Sequence, residues 1–207
     1  MKGIRNVIVL IASMAMFVAI PACIALKTPS SSDKVNTEVD YVAGSSSDEG
    51  EPSDMSGYTF LDQSKADCFI NSSFEGVVNM FLNKTSGVVF IGYTGCEWCQ
   101  RAVPVVAELG QEKNSIIYYV NVSSEDSDGD SYKQFKALAK EVLAEDDDGE
   151  KRLMVPLVLG IKDGEIVGYH VSTVDSFEIT DETSNLDDDK KAELLSYYET
   201  IYDAVYH

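Results

Sequence analysis

Cys96 and Cys99, with only Glu97 and Trp98 between them, are the side chains of this sequence best spaced for chemistry. A Cys-x-x-Cys pair can supply half of a zinc site, close a short structural disulfide, or cycle between dithiol and disulfide. A disulfide across so tight a loop staples little chain. A zinc site needs further ligands, and the remaining candidates, Cys68, His170 and His207, form no second pair at the required spacing. No metal site is therefore expected. The redox reading makes structural demands: one sulfur must be held as a thiolate, the other must lie within reach, and rigid elements must position both.

Elements able to do this flank the pair. "VVFIGY", Val88–Tyr93, is an unbroken β-branched and aromatic run, the pattern of a strand covered on both faces, and Cys96 follows it closely. Gln100–Leu109 reads as a helix with Pro104 inside it as a kink. Upstream, Cys68–Ser73 reads as a short strand. Ser72 and Glu75 form a capping-box pair, and Val77, Val78, Phe81 and Leu82 follow at helical spacing to a stop near Ser86-Gly87. Downstream, Ile116–Val122 is a third strand, and Tyr132–Leu143 is a helix with Phe135, Leu138 and Ala139 on one face. Met154–Val171 reads as two strands around a Lys-Asp-Gly turn, and Asp187–Tyr206 as an amphipathic helix. The order β-α-β-α-β-α-β-β-α predicts an α/β sandwich with a mixed central sheet.

The first residues read as an export signal: Lys2 and Arg5, then the apolar run Val7–Ile20. "IPAC", Ile20–Cys23, is similar to a bacterial lipoprotein processing site, at which Cys23 becomes the lipidated N-terminus. Cleavage after Ala22, or retention of Val7–Leu26 as a membrane anchor, are the alternatives. All three place the rest of the chain outside the cytoplasm, where disulfides persist. Lys27–Gly57 is rich in Ser, Asp, Glu and Gly and too poor in large apolar side chains to offset its chain entropy, so it reads as a tether. The sequence thus divides into a signal or anchor (1–26), a disordered acidic and Ser-rich linker (27–57) and a folded domain (58–207). Its 35 acidic against 16 basic residues, a net charge of -19, argue against nucleic acid and against electrostatic docking on anionic lipid. "DSDGD", Asp126–Asp130, is not an EF-hand, because Phe135 stands where the bidentate Glu belongs.

From Phe69 to its C-terminus the chain resembles the thioredoxin-fold proteins. The residues that carry the resemblance are Cys96 and Cys99 behind an apolar strand, Pro104 five residues beyond Cys99, Val155-Pro156 opening a strand, and the hairpin "IKDGEIVG". With its export signal and acidic insertions, the chain is most similar to the extracytoplasmic, lipoprotein-like CxxC proteins of Gram-positive bacteria, among them the bacteriocin transport accessory-type thioredoxins. The resemblance implies a thioredoxin-like three-layer sandwich and thiol–disulfide exchange with protein thiols or disulfides. It also implies an electron donor or acceptor as second partner, and no cofactor beyond a redox-active Cys96–Cys99 disulfide. It implies a substrate groove at Trp98, Val155 and Pro156, the Val155–Pro156 bond being cis. Cys96, at the helix start, would be the attacking sulfur, because free amides and the helix dipole favour an anion there. Cys99 would resolve the mixed disulfide. The fold also hosts binding and secretion-accessory proteins that do not turn over. The reduction potential and accessibility of Cys96 discriminate between these roles.

Three positions depart from the family pattern. Glu97 stands beside the attacking sulfur, where its carboxylate disfavours the thiolate, with Arg101 expected to offset it in part. Phe90 occupies the position, six residues ahead of Cys96, where these proteins carry a buried acid, which leaves Glu97 or a water to accept the Cys99 proton. Ser172 replaces the glycine that usually follows the hairpin. Cys68 is expected as a buried core thiol and His170 as a surface histidine.

Overall fold

The computed structural model describes residues 50–145 and 149–207. Every described residue belongs to one compact unit. The signal or anchor read at 1–26, with Cys23 in it, and the linker as far as residue 49 lie outside the described residues.

Along the chain run β1 (Phe69–Ser72), α1 (Phe74–Asn83), β2 (Gly87–Gly92), α2 (Glu97–Lys113), β3 (Ile117–Asn121) and α3 (Asp130–Leu138). There follow two antiparallel strands of two residues each, β4 (Ala144–Glu145) and β5 (Lys151–Arg152), then β6 (Leu157–Lys162), β7 (Glu165–Val171) and α4 (Asp188–Tyr206). Five strands form one sheet in the order β1-β3-β2-β6-β7. β1 and β2 flank β3 in parallel, whereas β6 runs antiparallel to β2 and β7 antiparallel to β6. Helices α1 and α3 pack together on one face, and α2 and α4 on the other. This is the thioredoxin-like three-layer sandwich with a mixed central sheet.

All six residues of β2 are buried, which is why its sequence shows no polar alternation. Val88 and Phe90 join the core shared with α2 and α4, and the pleat turns Val89 and Ile91 toward the opposite face. β6 and β7 are joined by Asp163-Gly164 with φ of 53° and 77°, the two left-handed residues of a type I′ hairpin turn.

The structure differs from the sequence reading in four places. Gly50–Gly57 is not tether: Asn71 N donates to Glu51 O at 2.7 Å, Pro52 bridges Ile70, and Met55 is buried. A few isolated anchors in a polar stretch carry no compositional signal. The cap of α1 is Ser73, whose hydroxyl accepts from Gly76 N at 3.0 Å, because Ser72 is still paired to Val120 in the sheet. Cys68 ends a 3-10 turn, Gln63–Cys68, before β1 begins. Finally, α3 starts at Asp130 and stops at Leu138, and a 3-10 turn at Lys140–Val142 continues it. The bend at Ala139 turns Val142 inward with Phe135 and leaves Leu138 exposed, so Leu138 is not on the core face.

Candidate redox site

α2 begins three residues earlier than its apolar periodicity indicates, and this places Cys96 at the N-cap. Cys96 has extended backbone angles, and its Sγ accepts a hydrogen bond from Cys99 N at 3.1 Å. The sulfur takes the role of a capping Ser or Asp oxygen, so the orphan amides of the first turn face a group that can become an anion. Cys96 is 8% exposed and Cys99 is fully buried, and both are free thiols.

The two thiols are driven apart in acidity. The Cys96 thiol is lowered from 9.0 to about 7, foremost by a hydrogen bond from the Cys99 thiol; burial opposes the shift, and the amides of Cys99 and Trp98 assist it. The Glu97 carboxylate raises it, the direction its position implies. The Cys99 thiol is pushed strongly upward by the same Cys96 contact and by burial. At neutral pH the reduced pair therefore holds Cys96 about half ionised, while Cys99 keeps its proton.

The wall facing Cys96 is the cis peptide Val155–Pro156, and the Cys96 thiol points to Val155 O at 3.8 Å. Trp98 is half-buried and meets Phe177 edge-on, with ring centroids 5.8 Å apart. Met154 is exposed beside Val155. The sequence reading named Trp98, Val155 and Pro156; Phe177 was missed, because it comes from the irregular segment between β7 and α4.

Arg101 has a different role from the one its charge suggested. It is buried, and its guanidinium donates to three carbonyls: Ser184 O at 2.8 Å, Glu97 O at 3.0 Å and Glu182 O at 3.0 Å. It also lies 4.6 Å over the Phe60 ring. The guanidinium ties the β7–α4 segment and Phe60 to the start of α2, and it is not among the leading causes of the Cys96 shift. Gln100 makes a second tie: its Nε2 donates to Gly57 O and Thr94 O at 2.9 and 2.6 Å, and its Oε1 accepts from Thr59 N at 2.8 Å.

Beneath the pair lie aromatic rings. A Cβ at Gly92 would meet both Cys99 Sγ and the Phe90 ring at 3.0 Å, so β2 needs glycine there for the sulfur to sit against the sheet. Phe90 is stacked on Tyr119 at 5.9 Å, and the hydroxyls of Tyr119 and Tyr58 are 3.0 Å apart. Tyr198 of α4 closes the same core cluster. Its recurrence with Leu194, Ile201 and Val205 at helical spacing could have marked it as core, though not as a neighbour of the cysteines. A polar cleft of about 490 Å3, lined by Asn71, Glu75, Tyr119, Asn121 and Glu125, opens at the ends of β1 and β3, and no cysteine lines it.

Cys68 is a buried core thiol, pushed up to about 11 by burial. His170 is half-buried and has partners; it stacks on Tyr197 at 4.8 Å, and a ring nitrogen lies 3.1 Å from Thr173 O.

No family model matches the chain, and no curated protein matches it. Among solved structures it is similar to thioredoxin O2 of Arabidopsis thaliana in the oxidised state, at 17% identity and a TM-score of 0.37, over 65% of this chain and 95% of that one. It is also similar to thioredoxin O1 of the same plant in the oxidised state, at 17% identity and a TM-score of 0.34, over 51% of this chain and 86% of that one.

Proposed function

We propose that this protein is an extracytoplasmic thiol–disulfide oxidoreductase, held at the membrane through its N-terminus, in which Cys96 attacks and Cys99 resolves. The observation that carries the reading is the asymmetry of the pair: an acidic, partly accessible sulfur capping α2 and a sealed, protonated one beside it. In the reducing direction the Cys96 thiolate attacks a client disulfide and expels one client sulfur. Cys99 then attacks Cys96, expels the second client sulfur and loses its proton. The client gains two electrons, and an electron donor must return them to the Cys96–Cys99 disulfide.

The acidity of Cys96 supports the reducing direction. Strongly oxidising members of this chemistry hold the attacking thiol near ~3.5, and reducing ones near ~7. Glu97 acts the same way, since a less stabilised thiolate favours the disulfide form of the pair. Protein disulfides presented as extended segments to Trp98, Val155 and Pro156 are the substrate class, and the net charge of -19 weighs against nucleic acid. Anchoring rests on Lys2, Arg5, the apolar run and Cys23. Among the described residues no helix is long and apolar enough to cross a membrane.

The test is reductant-driven cleavage of insulin disulfides by the full-length chain, followed by turbidity. Cys96→Ser is expected to abolish turnover, and a variant as active as wild type overturns the assignment. Replacing Cys23 by Ser is expected to release the protein from the membrane fraction, and retention with unchanged mobility overturns lipidation.

A further inference from the structure

The resolving step needs Cys99 to lose its proton inside the core. No carboxylate or imidazole among the described residues is buried there: the buried polar and charged side chains are Ser72, Ser73, Gln100, Arg101 and Thr173. Glu97, the side-chain candidate from the sequence, is exposed on the first turn of α2. Phe90 fills the position from which an acid would reach the sulfur, and its ring and Cys99 Sγ converge on the same point above Gly92.

The core cluster that contains Cys99 does hold tyrosine hydroxyls. Tyr58 and Tyr119 form a buried hydroxyl pair 3.0 Å apart, and Tyr119 also lines the polar cleft at the ends of β1 and β3. The Tyr198 hydroxyl is fully buried and, like those of Ser53, Ser115 and Thr173, has no hydrogen-bond partner among the described residues. A buried hydroxyl without a partner is costly and uncommon, so it points to a group that becomes its partner in another state.

We propose that Tyr198, with the Tyr58–Tyr119 pair, serves Cys99 in place of the missing acid, as positioning residues that donate hydrogen bonds toward its sulfur as the thiolate forms. The proposal rests on the exchange chemistry above. The phenols stay neutral: burial raises all three, Tyr119 to about 12, so none acts as a phenolate base. Cys99 acts electrostatically on each of the three. In the step itself the Cys99 sulfur bonds to Cys96 Sγ, the bond from Cys96 to the client sulfur breaks, and its electron pair leaves with that sulfur. The Cys99 proton passes to solvent or to the departing thiolate. The titratable groups around these hydroxyls, among the described residues, are Cys96 and Cys99 of α2, His170 of β7, whose ring centroid is 5.9 Å from that of Tyr198, and Asp54, Glu75 and Glu125 in the cleft that Tyr119 lines.

Reduced full-length protein mixed with an aromatic disulfide, dithiobis(nitrobenzoate), separates the two steps. Attack by Cys96 releases one coloured thiolate, and resolution by Cys99 releases the second. Cys99→Ser supplies the background from Cys23 and Cys68. Tyr198→Phe and Tyr119→Phe each remove one oxygen and keep the ring. At least one is expected to slow the second phase about tenfold, the worth of one hydrogen bond to a charged group, and to move its pH midpoint upward. The first phase and the thermal midpoint should hold or, for Tyr198→Phe, the latter should rise as an unpaired polar atom is removed. Wild-type second phases in both variants overturn the proposal, as does a slowing shared equally by both phases. Because the reagent needs no client, failure here is distinct from failure to reduce insulin.

Discussion

The acidity of Cys96 should depend on the thiol of Cys99 more than on the helix that follows it. Cys99→Ala removes the thiol donor to the Cys96 sulfur, yet the backbone bond from residue 99, 3.1 Å in the native protein, survives. A hydrogen bond to a charged group is worth about 1.5–3 kcal/mol, and a thiol is a weak donor, so the lower end applies. At about 1.4 kcal/mol per unit, the Cys96 midpoint should rise by roughly one unit, from about 7 to about 8. The thiolate fraction at pH 7 then falls from about a half to about a tenth, and alkylation slows about fivefold. The assay is the rate of iodoacetamide alkylation at Cys96, followed by peptide mass spectrometry from about pH 5 to about pH 10. The limiting rate at high pH should not change. Cys99→Ser retains an O–H donor and should stay near the native midpoint. If Cys99→Ala still titrates at about 7, the amides of the first turn suffice and the reasoning fails.

Glu97→Gln removes the carboxylate that opposes ionisation of Cys96, so the alkylation midpoint should fall by less than one unit, the carboxylate being exposed, and the couple should become more oxidising against glutathione. A midpoint that holds or rises removes Glu97 from control of the site. Arg101→Met leaves the carbonyls of Glu97, Glu182 and Ser184 without their donor, which should cost about 2–4 kcal/mol in urea unfolding and red-shift the emission of Trp98 as Phe177 loosens. Native stability with unshifted emission would show that the β7–α4 segment holds itself. Ser172 has φ of 70°, the conformation glycine adopts freely. Ser172→Gly should relieve about 1–2 kcal/mol of left-handed cost, less about 0.5–1 kcal/mol from the freer unfolded chain, a net gain of up to about 1.5 kcal/mol in urea unfolding. Lower stability in the glycine variant would contradict strain at this position.

The fold was legible where one local cause dominates. β2 announces itself because burial on both faces forbids polar residues, and the β6–β7 hairpin because Asp163 and Gly164 suit the two left-handed positions of its turn. Legibility failed where tertiary contact overrides local pattern. Leu138 has the spacing of a core residue, but the helix breaks at Ala139, and the inward direction passes to Val142. Gly50–Gly57 looks like tether because its backbone pairs with β1 through groups that composition does not record. Arg101 was read as a charge near a thiolate, but its fork is spent on carbonyls of a segment about eighty residues away along the chain.

The site divides in the same way. Cys96 and Cys99 were legible as a pair because they lie three residues apart, and Val155-Pro156 through the resemblance; the structure brings them together, with the Cys96 thiol 3.8 Å from Val155 O. Tyr58, Tyr119 and Tyr198 come from three distant segments, and in each the ring reads as core while the hydroxyl goes unread. Their placement matters because of how the two thiols influence one another. What raises Cys99 most is its hydrogen bond to Cys96, with burial second. Once Cys96 is joined to a client in a mixed disulfide, it no longer carries the charge that holds the Cys99 proton. The leading restraint on Cys99 then disappears when its thiolate is needed, and burial is what remains. A buried carboxylate beside Cys99 would add charge of the wrong sign to that remaining cost, whereas neutral hydroxyls can lower it by donating to the sulfur. The lack of buried acids among the described residues therefore fits a pair whose protonation is set chiefly from within.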